Sequence, residues 1–370
     1  MADVFRFADD LGPLKVIHVH NPAIGLKGIL VVDNVATGPA IGGLRMALDV
    51  SGEECFRLAR AMTLKNAAAG LQHGGGKSVL YGDPKMDKDD KERLVRGFAC
   101  ALADEHDYIF GPDMGTDEEC MAWVHDEIGR AVGLPAARGG IPLDTIGATG
   151  WGLSNVVDVA IGHCDFALAG ATLVIQGFGA VGRHAARFLA EKGVVLVGAA
   201  DSLGAIHDPA GIDLAELSRI KAGGGSVVDY PGGEKLGREQ VIDIPCDIWI
   251  PAARPDVIHE ENAHRLRTKL VVQGANIPFT LEAERYLHQQ GVLCVPDFIA
   301  NAGGVICAAM EYHGAGESVA FAAIAEKIRA NTEQVLAEMK KQQILPRAAA
   351  MILARKRVEA AMATRRWSIF

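Results

Sequence analysis

The sequence predicts an α/β protein of two domains, the second built on a doubly wound parallel sheet. Three observations carry that reading. The chain has 370 residues, more than one ordinary domain needs. It is 49% hydrophobic and 22% charged, the balance of a globular chain with ample core. From Thr172 onward, brief apolar runs alternate with stretches of helical length, the pattern of parallel strands joined by crossover helices. Glycine also stands out, at 43 of 370 residues against a usual share of about 7%. No G-x-y period or Gly/Ser tract absorbs the excess, which excludes collagen and a flexible linker. Glycine held inside a fold serves tight turns, positive φ or close backbone approach.

Each element follows from local pattern. Val16–Val19 and Ile29–Val32 read as strands, and Val79 and Leu80 read as sheet core. Glu53–Ala69 reads as a helix, with acids at its positive end and Gly70 as its stop. Gly139–Gly152 is rich in glycine, contains a proline and has little periodicity, so it reads as an irregular boundary. The expected division is 1–146, 147–330 and a helical tail, 331–370, packing back on the first domain. In the second domain the strands are Thr172–Gln176, Val194–Ala199, Asp247–Ile250, Leu270–Val272 and Val292–Val295. Ser318–Arg366 is nearly all helix-forming apart from Pro346.

Composition excludes several function classes. The 37 basic and 46 acidic residues leave a net charge of −9, which disfavours nucleic acid and anionic membranes as partners. No apolar run approaches the ~18 residues of a membrane span. Met1–Asp10 carries acids and no export pattern, so a cytoplasmic protein is expected. Seven scattered cysteines form no C-x-x-C, which suits reduced thiols and no metal site.

One motif points to a dinucleotide. The strand ending at Gln176 runs into Gly177-Phe178-Gly179-Ala180-Val181-Gly182, a G-x-G-x-x-G, and then a helix from His184 to Lys192. The first glycine permits the tight turn, the second admits the pyrophosphate, and the third lets helix pack on strand. The next strand ends near Asp201, where an acid can accept bonds from the adenosine ribose hydroxyls and repel a 2′-phosphate. NAD is therefore expected. NADP stays open, because Arg183 or another cation could hold the phosphate.

A second constellation carries proton chemistry. His73-Gly74-Gly75-Gly76-Lys77-Ser78 resembles a P-loop, but Gly70 stands one residue too far upstream and a helix, not a strand, precedes it. The alternative is that the glycines clear space around Lys77 for a small substrate. A poorly solvated ammonium has a lowered pKa and is then available as a base. Lys65 lies at the edge of the apolar side of the preceding helix. Asp113, in Gly111-Pro112-Asp113-Met114-Gly115-Thr116, reads by itself as a turn residue. Asn276 and Asn301 each end a predicted strand, the edge where open α/β sheets bind ligands.

These residues fall into an order that resembles the amino-acid dehydrogenases acting on glutamate, leucine, phenylalanine or valine. The resemblance runs from about Gly38 to Glu311. It rests on Gly38-Pro39-Ala40-Ile41-Gly42-Gly43-Leu44-Arg45, Met62-Thr63-Leu64-Lys65-Asn66-Ala67, Gly74-Gly75-Gly76-Lys77, Pro112-Asp113-Met114-Gly115-Thr116, the G-x-G-x-x-G, Gly274-Ala275-Asn276 and Pro296-Asp297-Phe298-Ile299-Ala300-Asn301-Ala302-Gly303-Gly304. It implies reversible NAD(P)-dependent oxidative deamination of an L-amino acid, in a cleft between a substrate domain and a Rossmann-like domain. By position, Lys65 pairs with the substrate α-carboxylate and Lys77 activates the attacking water. Asp113 then handles protons at the amino nitrogen. Thr149, Asn276 and Asn301 contact the nicotinamide end or the substrate. Asp201 and Ser202 stand at the adenosine end, and Ile41, Gly42 and Ala308 at the substrate side chain.

Glutamate enzymes of this family place a lysine where Ile41 stands and a serine where Ala308 stands. An unpaired carboxylate buried there would cost several kcal/mol, so an apolar branched or aromatic amino acid is expected. Residues 38–83 are closest to the leucine type, whereas Lys192 to Asn301 read more like the glutamate type. Glutamate dehydrogenase is thus the alternative, and an inactive dinucleotide-binding regulator a further one. The resemblance also implies a homo-oligomer.

Overall fold

The computed structural model describes residues 5–365; the expectations that touch residues 1–4 and 366–370 lie outside them. The chain forms two compact units. The first comprises Met1–Pro142, Val305–Ala320 and Met351–Phe370, and the second Leu143–Gly304 and Phe321–Ala350. The tail expected over 331–370 is thus divided, with Phe321–Ala350 in the second unit and only Met351–Phe370 in the first.

The first unit begins with strands β1 (Lys15–Asn21), β2 (Leu26–Asn34) and β3 (Ala40–Ala47) and helix α1 (Gly52–Ala68). Strand β4 (Gly74–Tyr81), helix α2 (Lys88–Ala101), strand β5 (Tyr108–Pro112) and helix α3 (Glu118–Ile128) follow. The sheet order is β1-β2-β4-β3-β5. Strands β3, β4 and β5 run parallel, and β1 and β2 pair antiparallel at one side. Alternation sorts the two faces. Ala40, Leu44 and Met46 of β3 join Phe98, Tyr108 and Phe110 in one core. Val79 of β4 joins Cys55 and Ala59 of α1 in a second core, on the opposite face. Ser51 caps α1 by accepting from the Glu54 amide, and Gly70 at φ +67 follows its end, as expected of a left-handed stop.

The second unit holds α4 (Leu143–Ile146), α5 (Ala148–Ala160), β6 (Thr172–Gln176), α6 (Ala180–Ala190), β7 (Val195–Ala200), β8 (Ala205–His207), α7 (Leu214–Ala222) and β9 (Glu234–Leu236). Then come β10 (Ile248–Pro251), β11 (Leu270–Val272), α8 (Leu281–Gln289), β12 (Leu293–Val295) and α9 (Asp297–Ala300). The sheet order is β12-β11-β10-β6-β7-β8-β9. β12, β11, β10, β6 and β7 are parallel, and β8 and β9 add an antiparallel edge. Chain order reverses at β6, the switch point where ligands bind in open α/β sheets. Three last helices, α10 (Gly303–Tyr312), α11 (Glu317–Gln342) and α12 (Pro346–Ala363), are shared between the units. Pro346 opens α12, a position where its missing N–H costs nothing.

The stretch Gly139–Gly152 corrects one expectation. It is not irregular throughout, since α4 and α5 lie in or start within it. Its glycines serve packing. A Cβ on Gly150 would lie 2.7 Å from the Ala185 amide of α6, and one on Gly147 would meet the His184 ring at 2.4 Å. Helices α5 and α6 therefore touch backbone to backbone, which only glycine allows.

Candidate active site

Five charged side chains converge on the α1 side of the first sheet. Lys77 stands in the middle of β4 and is 5% exposed. Its Nζ donates to Asp113 Oδ2, just past the end of β5. Arg45 on β3 donates from Nη2 to Asp113 Oδ1 at 3.3 Å and from Nη1 to Glu54 in the first turn of α1. Lys65 lies in the last turn of α1, half-buried. Burial first, then the cations Arg45 and Lys65, push the Lys77 ammonium from its ordinary 10.5 down to about 7. The Asp113 carboxylate touches the same ammonium, and a carboxylate in contact favours the charged amine. The arrangement supplies an amine that loses its proton near neutrality and a carboxylate in hydrogen-bond contact with it.

Asp113 is both a turn residue and part of this cluster. Its carbonyl accepts from the Thr116 amide at 2.9 Å, and its own amide donates to Thr116 Oγ1 at 3.0 Å. The turn aims the carboxylate back over Gly43, where a Cβ would lie 2.8 Å from Asp113 Cβ. Gly43, not Gly42, is thus the glycine that opens β3 toward the cluster. Gly42 lies on the other face, with its carbonyl accepting from Tyr108 Oη at 2.7 Å.

The glycines before Lys77 have a different purpose from the one expected. A Cβ on Gly74 would lie 1.8 Å from the Asn34 carbonyl oxygen, and one on Gly75 would lie 1.9 Å from the Thr63 amide of α1. A Cβ on Gly76 would strike the Tyr108 ring at 2.9 Å. Protein fills the space that was expected for substrate, and the glycines let α1 and β2 close down on β4. That closure is what buries Lys77. Because Lys77 lies within a strand and no helix follows directly, the P-loop alternative is overturned.

Ile41 is 4% exposed on β3, and its carbonyl accepts from Asn66. Ala308 lies half-buried on α10. Glu311, one turn beyond, is a buried acid that accepts from the amides of Gly133, Leu134 and Ile141 at 2.8–3.0 Å. His313, at the same helix end, meets the buried His73 at 3.0 Å between Nε2 atoms. Sequence reading missed Arg45, Glu54 and Glu311 as individual residues; a buried acid facing glycine-rich backbone leaves no local signal.

In the second unit the glycine motif takes the expected shape. Gly177 has φ +104, and a Cβ there would strike Ala253 at 2.7 Å. A Cβ on Gly182 would lie 2.1 Å from the Gly177 carbonyl. A Cβ on Gly179 would meet nothing within 4 Å, and Gly179 stands at the N-terminus of α6, which no side chain caps. Open space before free helix amides suits a pyrophosphate. Ala180 and Val181 form the first turn of that helix. Phe178 differs from expectation: its ring is 1% exposed and its amide donates to the Ala200 carbonyl, so it shapes the turn from inside.

Asp201 also departs from its expected role. Its Oδ1 accepts from the Leu203 amide and Ser226 Oγ, and its Oδ2 from Lys221 Nζ and the Val227 amide, all within 3.0 Å. Those four bonds occupy the carboxylate. Against the penalty of burial these bonds, that from Lys221 first, lower its pKa to about 2. Its charge is compensated inside the protein, which removes the argument that it repels a 2′-phosphate. Ser202, next along, is exposed.

The loops after β11 and β12 bring Asn276 and Asn301 together, with Asn301 Nδ2 donating to Asn276 Oδ1 at 2.9 Å. Asn301 is buried and its own Oδ1 is unpartnered. Arg347 fixes both loops through Glu284, Gln273 and Asp297 at 2.8–2.9 Å. Thr149, in the first turn of α5, lies 3.3 Å from the position of a Cβ on Gly304.

Residues 139–366 match the family described as Glutamate/Leucine/Phenylalanine/Valine dehydrogenase, and residues 13–130 match its dimerisation domain.

The chain belongs to this family.

Among relatives of this dehydrogenase, a glutamate dehydrogenase of Aeropyrum pernix is 36% identical over 90% of the chain and 85% of the relative. An NAD-specific glutamate dehydrogenase of Staphylococcus aureus is 34% identical over 96% of the chain and 92% of the relative. A solved structure of the hetero-hexameric glutamate dehydrogenase of Thermus thermophilus, in a leucine-bound form, superposes with a TM-score of 0.82. It is 29% identical and covers 94% of the chain and 89% of that protein. The chain is an amino-acid dehydrogenase with a Rossmann-like second unit.

Proposed function

We propose that this dehydrogenase oxidatively deaminates an apolar L-amino acid, with NAD or NADP as acceptor, and works as an oligomer. The observation that carries the substrate choice is the occupancy of its cations. Arg45 is tied to Glu54 and Asp113. Arg138 is 46% exposed in its side chain and faces Asp126. Lys65 is assigned to the α-carboxylate and Lys77 to proton transfer. Ile41 and Ala308 offer no charge, so the γ-carboxylate of glutamate would be desolvated without a partner. Glutamate is the second reading, favoured by the names of the relatives.

The overall change is L-amino acid plus NAD(P)⁺ and water to 2-oxo acid, ammonium, NAD(P)H and a proton. A bound nicotinamide supplies acceptance of the hydride, and orientation and proton transfer fall to the chain. Gly177, Gly179 and Gly182 would hold the pyrophosphate, with Thr149, Asn276 and Asn301 toward the nicotinamide. Asp201 is assigned to shaping the adenosine end. Neutral Lys77 takes a proton from the water that adds to the iminium carbon, and Asp113 exchanges protons with the departing nitrogen.

A spectrophotometric panel of L-amino acids with each cofactor tests the reading. Turnover of leucine, valine or phenylalanine well above glutamate is expected. Efficient turnover of glutamate alone would overturn the substrate choice. Tight cofactor binding with no turnover of any amino acid would favour a regulator.

A further inference from the structure

We infer that Arg45 is a positioning residue of this dehydrogenase, bridging Glu54 and Asp113 so that the carboxylate stays on Lys77 with its charge offset by a fixed cation. The inference rests on the assignment of Lys77 and Asp113 above. On three adjacent parallel strands, Gly43 and Leu44 lie beside Gly111 and Pro112 of β5, and Arg45 lies beside Val79 of β4. Arg45 is therefore level with Asp113 on one side and one pleat along from Lys77 on the other.

The side chain has two tethers from different elements. Glu54 holds it from the first turn of α1, and Asp113 holds it from the loop after β5. The planar guanidinium suits this, because its donors diverge in a fixed fork that a lysine ammonium lacks. Arg45 is only 20% exposed in its side chain, so solvent screens it little.

A single carboxylate beside a buried lysine would ordinarily hold the proton on the amine. That outcome would disable a base. Arg45 takes one oxygen of Asp113 while Lys77 meets the other. The carboxylate is shared between Arg45 and Lys77, and Lys77 is left to titrate under the repulsion of Arg45 and Lys65. The groups facing Lys77 are Arg45 on β3, Glu54, Cys55 and Lys65 on α1, and Asp113 after β5. On β2, Asp33 is paired with Arg60. Arg45 reaches Asp113 and a second acid, Glu54, at the same time.

The test is R45Q against R45K, with a readout that does not need turnover. Trace acetylation of Lys77 by acetic anhydride, quantified by peptide mass spectrometry from pH 5.5 to 10, reports the fraction of neutral amine. In wild type the midpoint is expected near neutrality. R45Q should move it upward by about one pH unit, and the acid limb of the deamination rate should move with it. R45K keeps the charge without the bridge, so its midpoint should stay close to wild type while kcat falls at least tenfold. An unmoved midpoint and acid limb in R45Q would overturn the inference, as would full kcat in R45K. Should R45Q fail to fold, E54Q removes the other tether and a negative charge; its midpoint should fall, and an unchanged midpoint and kcat would refute the bridge. A wild type that labels as expected but turns over no amino acid would instead count against the proposed function.

Discussion

Replacing Lys77 with methionine should separate the catalytic and structural consequences of burying an ammonium. The pKa of Lys77 falls from 10.5 in the unfolded chain to about 7 in the fold. At about 1.4 kcal/mol per tenfold, the charged form costs the folded state at most roughly 5 kcal/mol, all neighbours included. The direction follows from proton counting. Below pH 7 both states carry the proton and the full cost is present. Between about 7 and 10.5 only the unfolded chain holds the proton, so rising pH favours the fold. K77M never carries the charge. It should therefore be more stable than wild type by about 2–4 kcal/mol at pH 6, with the gap closing by pH 10. Urea midpoints at matched protein concentration, taken at half-unit steps of pH, measure it. The same variant should bind the dinucleotide with unchanged affinity and have no measurable deamination. A pH-independent stability difference, or a K77M less stable at pH 6 than at pH 10 relative to wild type, would refute the argument. Retained turnover would remove Lys77 from the chemistry.

Other expectations concern rate, packing and the adenosine end. The wild-type deamination rate should climb about tenfold per pH unit below neutrality and level off above it, as Lys77 loses its proton near 7; a flat profile from pH 6 to 9 would contradict the base. Gly75→Ala should lower stability by about 3 kcal/mol or more, because its methyl meets α1 backbone that cannot move alone; a urea midpoint within error of wild type would show that α1 yields freely. Gly179→Ala has open space, so it should leave the urea midpoint unchanged and weaken dinucleotide binding at least tenfold by calorimetry. Asp201→Asn should cost roughly 2 kcal/mol at neutral pH, with the wild-type advantage shrinking as pH falls from 3.8 toward about 2. It should leave the ratio of NAD to NADP affinity within about threefold, and a large swing toward NADP would restore Asp201 as a discriminator.

The two sites were not equally legible in the sequence. Gly177, Gly179 and Gly182 follow a strand and open a helix at fixed spacing, so local order alone announces what they do. Asp201 shows where that legibility stops. Its position after β7 was plain, but Lys221, Ser226 and Val227 reach it from a later helix and turn, and no local pattern records which partner arrives first. The glycines at Gly74–Gly76 were seen for the right property, small size, and assigned the wrong neighbour. Small size tells that something comes close; only the packing tells that it is the end of β2 at Gly74, α1 at Gly75 and the Tyr108 ring at Gly76. Gly150 and Gly152 misled for a related reason, since glycine weakens a helix locally while the approach of α6 and Gly303 recovers that loss in packing. Arg45 was visible as part of a motif, yet its chemistry depends on Asp113 sixty-eight positions away.

The buried acid on α10 has a consequence for how this protein can change. Glu311 gathers three amides from the segment between Gly133 and Ile141, and His313 is held by His73. These fastenings lie at and beyond one turn from Ala308. The register of the helix is therefore set by residues other than the one proposed to meet the substrate. Variation at position 308 can enlarge, shrink or polarise that wall while its carrier stays in place. Such a separation of anchor from probe lets one scaffold be retuned by single exchanges, each selectable without first rebuilding the support.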